Sequence, residues 1–190
     1  MSDQYYHTEA SVKEYISMAE DVSGADLIEQ LKNILAKGSS VLELGSGPGT
    51  DWSILKQSYR VTGSDFSKEF LNHLKKKHPN EEFLYLDARY LKTELSFEGI
   101  YSNKVLHHLK DDELASSIES QLSVLEDGGI ICHSFWNGEG SEIFKGMYVN
   151  YQNKESLTKI FGNSFEIISL KAYKEFEDND STFIIAKKKK

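Results

Sequence analysis

Apolar residues fall into two rhythms along this chain. Leu27, Ile28, Leu31, Ile34 and Leu35 recur at helical spacing, and Gly38 supplies the stop. The next apolar block, Val41–Leu44, is short and runs into glycine, which marks a buried strand. From there the two patterns alternate. Helices are expected over Thr50–Gln57, from the cap Ser67 to Lys77 where Pro79 ends it, and from Asp111 or Asp112 along the stripe Leu114, Ile118, Leu122 and Leu125. Another opens at Asn153, carries Leu157, Ile160 and Phe161, and closes at Gly162. Strands are expected at Arg60–Asp65, Phe83–Asp87 and Ile100–Asn103, at Ile130–Phe135 after the turn Asp127-Gly128-Gly129, and at Phe165–Tyr173 and Ser181–Ala186.

Alternation of strand and helix predicts an α/β chain with a mostly parallel sheet and helices on both faces. No helix fits between the last two strands. The polar stretch Lys174–Asp180 suits a hairpin, so the final strand is expected to run antiparallel to its neighbour. Ahead of the first strand, residues 1–23 are polar and rich in aromatics, with a helix expected over Ser11–Glu20. The chain of 190 residues suits one domain, with residues 1–37 as N-terminal helices or lid and 38–190 as the core.

Composition narrows the partners. A net charge of -8 disfavours binding to polyphosphate backbones, so nucleic acid is not expected as a partner. The basic run Lys187–Lys190 reads as a solvated tail. Cys132 is the one cysteine, which forbids an intrachain disulfide, and no spaced set of metal ligands is present. The polar start Met1-Ser2-Asp3-Gln4 lacks a signal-peptide core, and no apolar stretch is long enough to span a bilayer. Cytoplasmic residence without membrane attachment is the expectation.

Ligands of open parallel sheets bind at the carboxyl ends of the strands. Gly45-Ser46-Gly47-Pro48-Gly49 follows the first strand, and its glycines permit close approach of a ligand to bare main chain. The dinucleotide fingerprint G-x-G-x-x-G would need a glycine where Thr50 stands. Asp65 lies 20 residues after Gly45 at the end of the next strand, where a carboxylate can accept from both hydroxyls of a ribose. Phe66 is placed to lie against a purine. Asp87 is placed to accept from an adenine amino group, with the main chain of Ala88 against a ring nitrogen.

Taken together, Glu43-Leu44-Gly45-Ser46-Gly47-Pro48-Gly49, Asp65-Phe66-Ser67, Asp87-Ala88 and Ser102-x-x-Val105-Leu106-His107-His108-Leu109 resemble the class I S-adenosylmethionine-dependent methyltransferases. The resemblance runs from about the first helix to the last strand. It implies a Rossmann-like, seven-stranded, mostly parallel sheet whose last strand is antiparallel. It implies that Gly45–Gly49 cradle the methionine and ribose parts of S-adenosylmethionine and that Glu43 orients that loop. It further implies that Asp65 holds the ribose, that Phe66, Asp87 and Ala88 surround adenine, and that Ser102 and Asn103 sit near the methionine end. Two places depart from the family pattern. Phe97-Glu98-Gly99 stands where an acid–aromatic pair is common, and Lys104 stands in a usually apolar region, to face solvent or reach a carboxylate above the sheet.

Such an enzyme mainly aligns donor and acceptor and excludes water. Where a base is needed, His107, His108 and His133 are chemically eligible. Tyr5, Tyr6 and Tyr15 are candidates to line an acceptor pocket, and the aromatic-rich stretch Trp136–Tyr151 is long for a connection. The Asn/Asp-Pro-Pro-aromatic motif of DNA amino-methyltransferases is absent after the fourth strand, so a small-molecule acceptor is favoured; protein acceptors stay open, as does oligomeric state. Two other readings compete: a nicotinamide-dependent oxidoreductase, which leaves Thr50, Glu43 and the last hairpin unexplained, and a non-catalytic module that binds S-adenosylmethionine.

Overall fold

Val41 and Leu42 are adjacent, point to opposite faces of a sheet, and are both fully buried. That requires a covering layer on each side. In the computed structural model, which describes residues 9–18 and 22–190, the layers come from helices α1 (Glu9–Met18), α2 (Ala25–Lys32), α3 (Thr50–Leu55), α4 (Lys68–Lys77), α5 (Asp111–Val124) and α6 (Lys154–Phe161). One core packs Leu42, Leu44, Ile100, Ile131 and Ile184 against Leu114, Ile118, Leu157 and Phe161 of α5 and α6. The other packs Val41, Tyr101, Ile130, Cys132 and Ile185 against Leu27, Ile28 and Leu31 of α2 and Leu55 of α3. The period-2 alternation of each strand thus feeds two cores at once.

The strands are β1 (Ser40–Leu44), β2 (Arg60–Asp65), β3 (Phe83–Tyr85), β4 (Phe97–Asn103), β5 (Leu125–Trp136), β6 (Ser141–Phe144), β7 (Met147–Asn150), β8 (Phe165–Tyr173) and β9 (Ser181–Lys188). Seven form one sheet in the order β3-β2-β1-β4-β5-β9-β8. The pairs from β3 through β5 are all parallel, and β9 runs antiparallel to both of its neighbours. This is the expected mostly parallel sheet with an antiparallel last strand. The order reverses beside β1, which places the tips of β1, β2 and β4 around the switch point where ligands bind.

Local signals hold at several ends. Ser67 Oγ accepts from Phe70 N at 3.2 Å, and Asn153 Oδ1 accepts from Ser156 N at 2.9 Å, so both predicted caps work as caps. Others are corrected. Lys110, not Asp111 or Asp112, is the N-cap of α5, and Glu113 reaches back to accept its backbone N–H at 3.0 Å. Leu125 belongs to β5 rather than to the helix, pairing with Phe97 before the ladder resumes at Gly99 and Ile130. The Asp127-Gly128-Gly129 turn survives as that irregularity, with Gly128 at φ +73°. Trp136–Tyr151 is not a loop: β6 and β7 pair antiparallel through Lys145-Gly146, both at positive φ, as a two-residue hairpin needs. The helix expected over Ser11–Glu20 is found as α1, while Glu20 lies outside the described residues.

His133 has no route to solvent. Its Nδ1 lies 2.8 Å from Ser102 Oγ and its Nε2 2.8 Å from Gln121 Oε1, a fully buried chain joining β4, β5 and α5. Burial drives its pKa from 6.5 down to about 3. The unfolded chain therefore takes up a proton that the folded chain refuses as pH falls below 6.5, and stability is lost in that direction toward about 3. Between about pH 7 and about pH 5 this group alone removes about 2 kcal/mol. Denaturant unfolding at both pH values should show wild type losing that much more than His133→Asn, and equal losses would contradict the buried neutral imidazole.

Candidate active site

The glycine loop is shaped by what surrounds it. Gly45 leaves β1 at φ +67°, and a Cβ there would come within 2.5 Å of Val105 Cγ2 in the segment after β4. Gly47, at φ +48°, has nothing within 4 Å of an added Cβ and borders open space. Its N–H donates to Asp65 Oδ2 at 2.9 Å, and Asp65 Oδ1 accepts from Ser67 N at 2.8 Å. Loop and aspartate thus meet, as the spacing suggested. Glu43 lies beneath them. Ser46 Oγ donates to its Oε2 at 2.5 Å and accepts from Ser64 N at 3.1 Å, while Ser64 Oγ donates to Glu43 O at 2.7 Å. These bonds lock the loop to β2.

Two joined compartments lie above these tips. The larger, of about 450 Å³, is lined by Gly45, Gly47, Asp65, Phe66, Asp87, Ala88, Asn103, Lys104, Val105 and His108, with Ile143, Met147 and Tyr148 of the β6–β7 hairpin. The smaller, of about 250 Å³, is lined by Glu43, Ser46, Pro48, Thr50 and Asp51 on one side and by Trp136, Glu175 and Phe176 on the other. Tyr15, Gly45, Gly47, Asn103 and Lys104 border both.

Most of the expected site residues converge here, with exceptions. Ser102 is wholly buried with its hydroxyl turned to His133, because Tyr101 and Asn103 take the opposite face of β4; its side chain does not reach the cavity. Asp87 reaches the wall already paired, accepting from Arg89 Nε at 2.9 Å and Arg89 Nη2 at 2.7 Å. Phe66 stacks on Tyr85 with ring centroids 5.2 Å apart. Gly49 lines neither compartment; at φ +82° it caps α3, and a Cβ there would meet Leu74 Cδ2 at 2.5 Å. Among the three candidate bases, only His108 lines the cavity. Its Nδ1 lies 2.8 Å from Tyr148 O, which fixes the proton on that nitrogen and ties the hairpin to the end of β4. His107 is buried beside it, and burial followed by the charges of His108 and Lys104 holds it well below the usual imidazole range. His133 belongs to the core. Tyr15 stands at the cavity, edge-on to Phe70 at 5.7 Å, whereas Tyr5 and Tyr6 lie outside the described residues.

Residues 41–129 match the family model described as a methyltransferase domain. That stretch is a methyltransferase domain, carried on the Rossmann-like fold of the class I, S-adenosylmethionine-dependent methyltransferases. No curated protein matches it in sequence. In fold it is similar to the Burkholderia thailandensis 1,6-didemethyltoxoflavin-N1-methyltransferase solved with 1,6-didemethyltoxoflavin and S-adenosylhomocysteine, at TM-score 0.79 and 17% identity over 95% of this chain and 85% of that one. It is also similar to the N-methyltransferase NodS from Bradyrhizobium japonicum, solved with S-adenosylhomocysteine, at TM-score 0.70 and 14% identity over 87% and 85%. A third similar structure is the glycopeptide N-methyltransferase MtfA with S-adenosylhomocysteine, at TM-score 0.71 and 14% identity over 88% and 91%.

Sequence reasoning passed over several residues of this methyltransferase site. Asp51 is the hub of its floor. Oδ1 accepts from Gly24 N at 2.7 Å, and Oδ2 accepts from Tyr101 OH at 2.7 Å and Asn103 Nδ2 at 3.1 Å. Its position one residue after Thr50 was the available signal. Arg89, which crosses from Asp87 to Glu113 at 3.1 Å, was signalled only by its place beside Ala88. Lys104, singled out as a departure, reaches a carboxylate: Nζ lies 2.5 Å from Glu175 Oε2 and 3.5 Å from the Trp136 ring centroid. Glu175 and Phe176 had no signal, since they sit in a polar hairpin connection.

Burial in the methyltransferase core, with Asp51 and Asp65 nearby, raises the Glu43 carboxyl from 4.5 to about 8. The unfolded chain releases this proton above 4.5 while the folded chain keeps it, so stability is present at low pH and lost as pH rises toward about 8. From about pH 5 to about pH 8 this costs the wild type roughly 3 kcal/mol, and Glu43→Gln should escape it. Paired unfolding curves at the two pH values check this; parallel losses in both proteins would mean that Glu43 is already ionised.

Proposed function

We propose that this protein transfers the methyl group of S-adenosylmethionine to a small-molecule acceptor in the cavity above β1, β2 and β4. The observation that carries this reading is the contact of Gly47 N–H with Asp65 Oδ2 at the edge of that cavity. It brings bare main chain and a ribose-binding carboxylate to one ligand surface. The cofactor fits the residues present. Gly47 opens onto free space where a side chain would stand, and the Asp65 carboxylate, an acceptor for ribose hydroxyls, lines the cavity beside it.

On this reading Glu43, Ser46 and Gly49 shape the loop, and Gly45, Gly47 and Asn103 border the methionine part. Asp65 holds the sugar, Phe66 and Ala88 flank adenine, and Asp87 meets its amino group through the lone pairs that Arg89 leaves. When bound, the cofactor supplies a methyl group activated by a cationic sulfur. The chain's own residues align the partners and exclude water. Helix α1 serves as a lid, since Tyr15 borders both compartments, and the β6–β7 hairpin closes the other side through Ile143, Met147 and Tyr148. We read the described residues up to 37 as the N-terminal lid and helices and 38–190 as the Rossmann-like part.

Two features support a small acceptor. The two compartments, of about 450 and 250 Å³, are of the size of small-molecule sites, and the net charge of -8 repels nucleic acid. The acidic balance and single buried cysteine fit a cytoplasmic setting. Similar folds act on 1,6-didemethyltoxoflavin and on a glycopeptide. A nicotinamide cofactor is disfavoured because Thr50 occupies the third glycine position of its fingerprint.

Asp65→Ala should weaken binding of S-adenosylmethionine by about 1–3 kcal/mol, because buried hydroxyls lose a charged acceptor. Isothermal titration calorimetry reads this directly. Unchanged affinity, or a wild type that binds a nicotinamide dinucleotide and no S-adenosylmethionine, would overturn the proposal.

A further inference from the structure

The loop between β8 and β9 carries a carboxylate whose two oxygens are used unequally. Glu175 Oε2 takes Lys104 Nζ at 2.5 Å, Ser181 Oγ at 3.3 Å and Tyr173 OH at 3.3 Å. Oε1 has no hydrogen-bond partner among the described residues, although the side chain is only 15% exposed and borders the smaller compartment. The carboxylate is held rigidly. Lys104 donates also to Ser181 Oγ at 2.6 Å and presses against the face of Trp136. Asp180 accepts from the backbone N–H of Glu175 and Phe176 at 2.9 and 2.8 Å, which fixes the loop itself. Oε1 is thus an oriented carboxylate oxygen that opens onto the compartment, where a ligand's donor can reach it.

Sheet order indicates which ligand. The tips of β3, β2 and β1 carry the adenine, ribose and methionine positions proposed above, in that sequence along the edge. Glu175 lies farther along the same edge, past β4, beside the end of β5 and the start of β9. The smaller compartment that it borders is also lined by Gly45, Gly47 and Asn103, so a molecule held there by Glu175 would lie next to the methionine part. Trp136, with Phe176 stacked on it at 6.0 Å, gives this end an aromatic wall suited to a flat molecule.

We propose that Glu175 Oε1 is an acceptor-recognising group, and that the methyl acceptor is a planar compound presenting an N–H to it. The assignment rests on the methyl-transfer reading above. Glu175 accepts the hydrogen bond before transfer. It takes the N–H proton as the nitrogen lone pair forms the bond to the methyl carbon, the electrons of the broken sulfur–carbon bond remaining on sulfur. The nitrogen thereby ends neutral and the carboxyl protonated.

The test uses the full chain saturated with S-adenosylhomocysteine and two probes that differ in one N–H, benzimidazole and 1-methylbenzimidazole, each titrated by calorimetry. Wild type should bind benzimidazole more tightly by about tenfold or more, since the methylated probe displaces water from the carboxylate oxygen without offering it a donor. Glu175→Gln should cut the preference to about twofold or less while S-adenosylhomocysteine binding holds. The double variant Lys104→Met with Glu175→Gln, which leaves no buried charge unpaired, should lose the preference equally. No saturable benzimidazole binding, equal binding of the two probes, or a preference that survives in both variants overturns the assignment. Failure of wild type to bind S-adenosylhomocysteine would instead overturn the methyl-transfer reading on which it stands.

Discussion

One hydrogen bond organises the working edge of this molecule. The Gly47 amide donates to Asp65, and through it the loop after β1 is held against the tip of β2. The contact requires that Gly47 adopt a left-handed backbone and that Asp65 be nearly buried, and each condition is met by its surroundings. Glu43 and Ser46 fasten the loop from below, and the Ser67 amide holds the second aspartate oxygen. The anchors come from three places on two strands and their connections, so the loop geometry is fixed before a ligand arrives. Preorganisation of this kind lowers the ordering cost of binding.

The floor of the site trades charge for order. Glu43 keeps its proton near neutrality because it is buried and Asp51 and Asp65 stand close. Among the described residues Asp51 is held by neutral donors: a main-chain amide, a phenol and an amide side chain. Farther along the edge the arrangement changes. Lys104 sits at φ +54°, an uncommon backbone state for a side-chain-bearing residue, and spends its ammonium on Glu175, Ser181 and the Trp136 ring. The lysine thus links the end of β4 to the start of β9. This cross-link turns the β8–β9 connection into part of the wall.

Much of this was legible in the chain. The glycine loop, Asp65 at its spacing and the alternation of strand and helix gave the sheet, its switch point and the antiparallel last strand, since each depends on local chemistry that sequence records. What escaped depends on side-chain direction or on distant partners. Ser102 was read as a strand-end residue, but strand parity turns it into the core with His133. Asp87 was read as an acceptor for an adenine amino group, and Arg89 two residues on folds back to pair with it. Trp136–Tyr151 was read as a long connection because it is rich in aromatics and glycine, and only the Lys145-Gly146 turn hints at the hairpin. Glu175 acquires meaning solely from Lys104, 71 residues earlier.

The most direct test of this account is a crystal structure of the protein with S-adenosylhomocysteine. The ribose hydroxyls should lie within hydrogen-bond reach of Asp65, with adenine between Phe66 and Ala88 and the amino-acid tail along Gly45–Gly47. A ligand seated elsewhere, or one that leaves Asp65 turned only to Gly47 and Ser67, would contradict it.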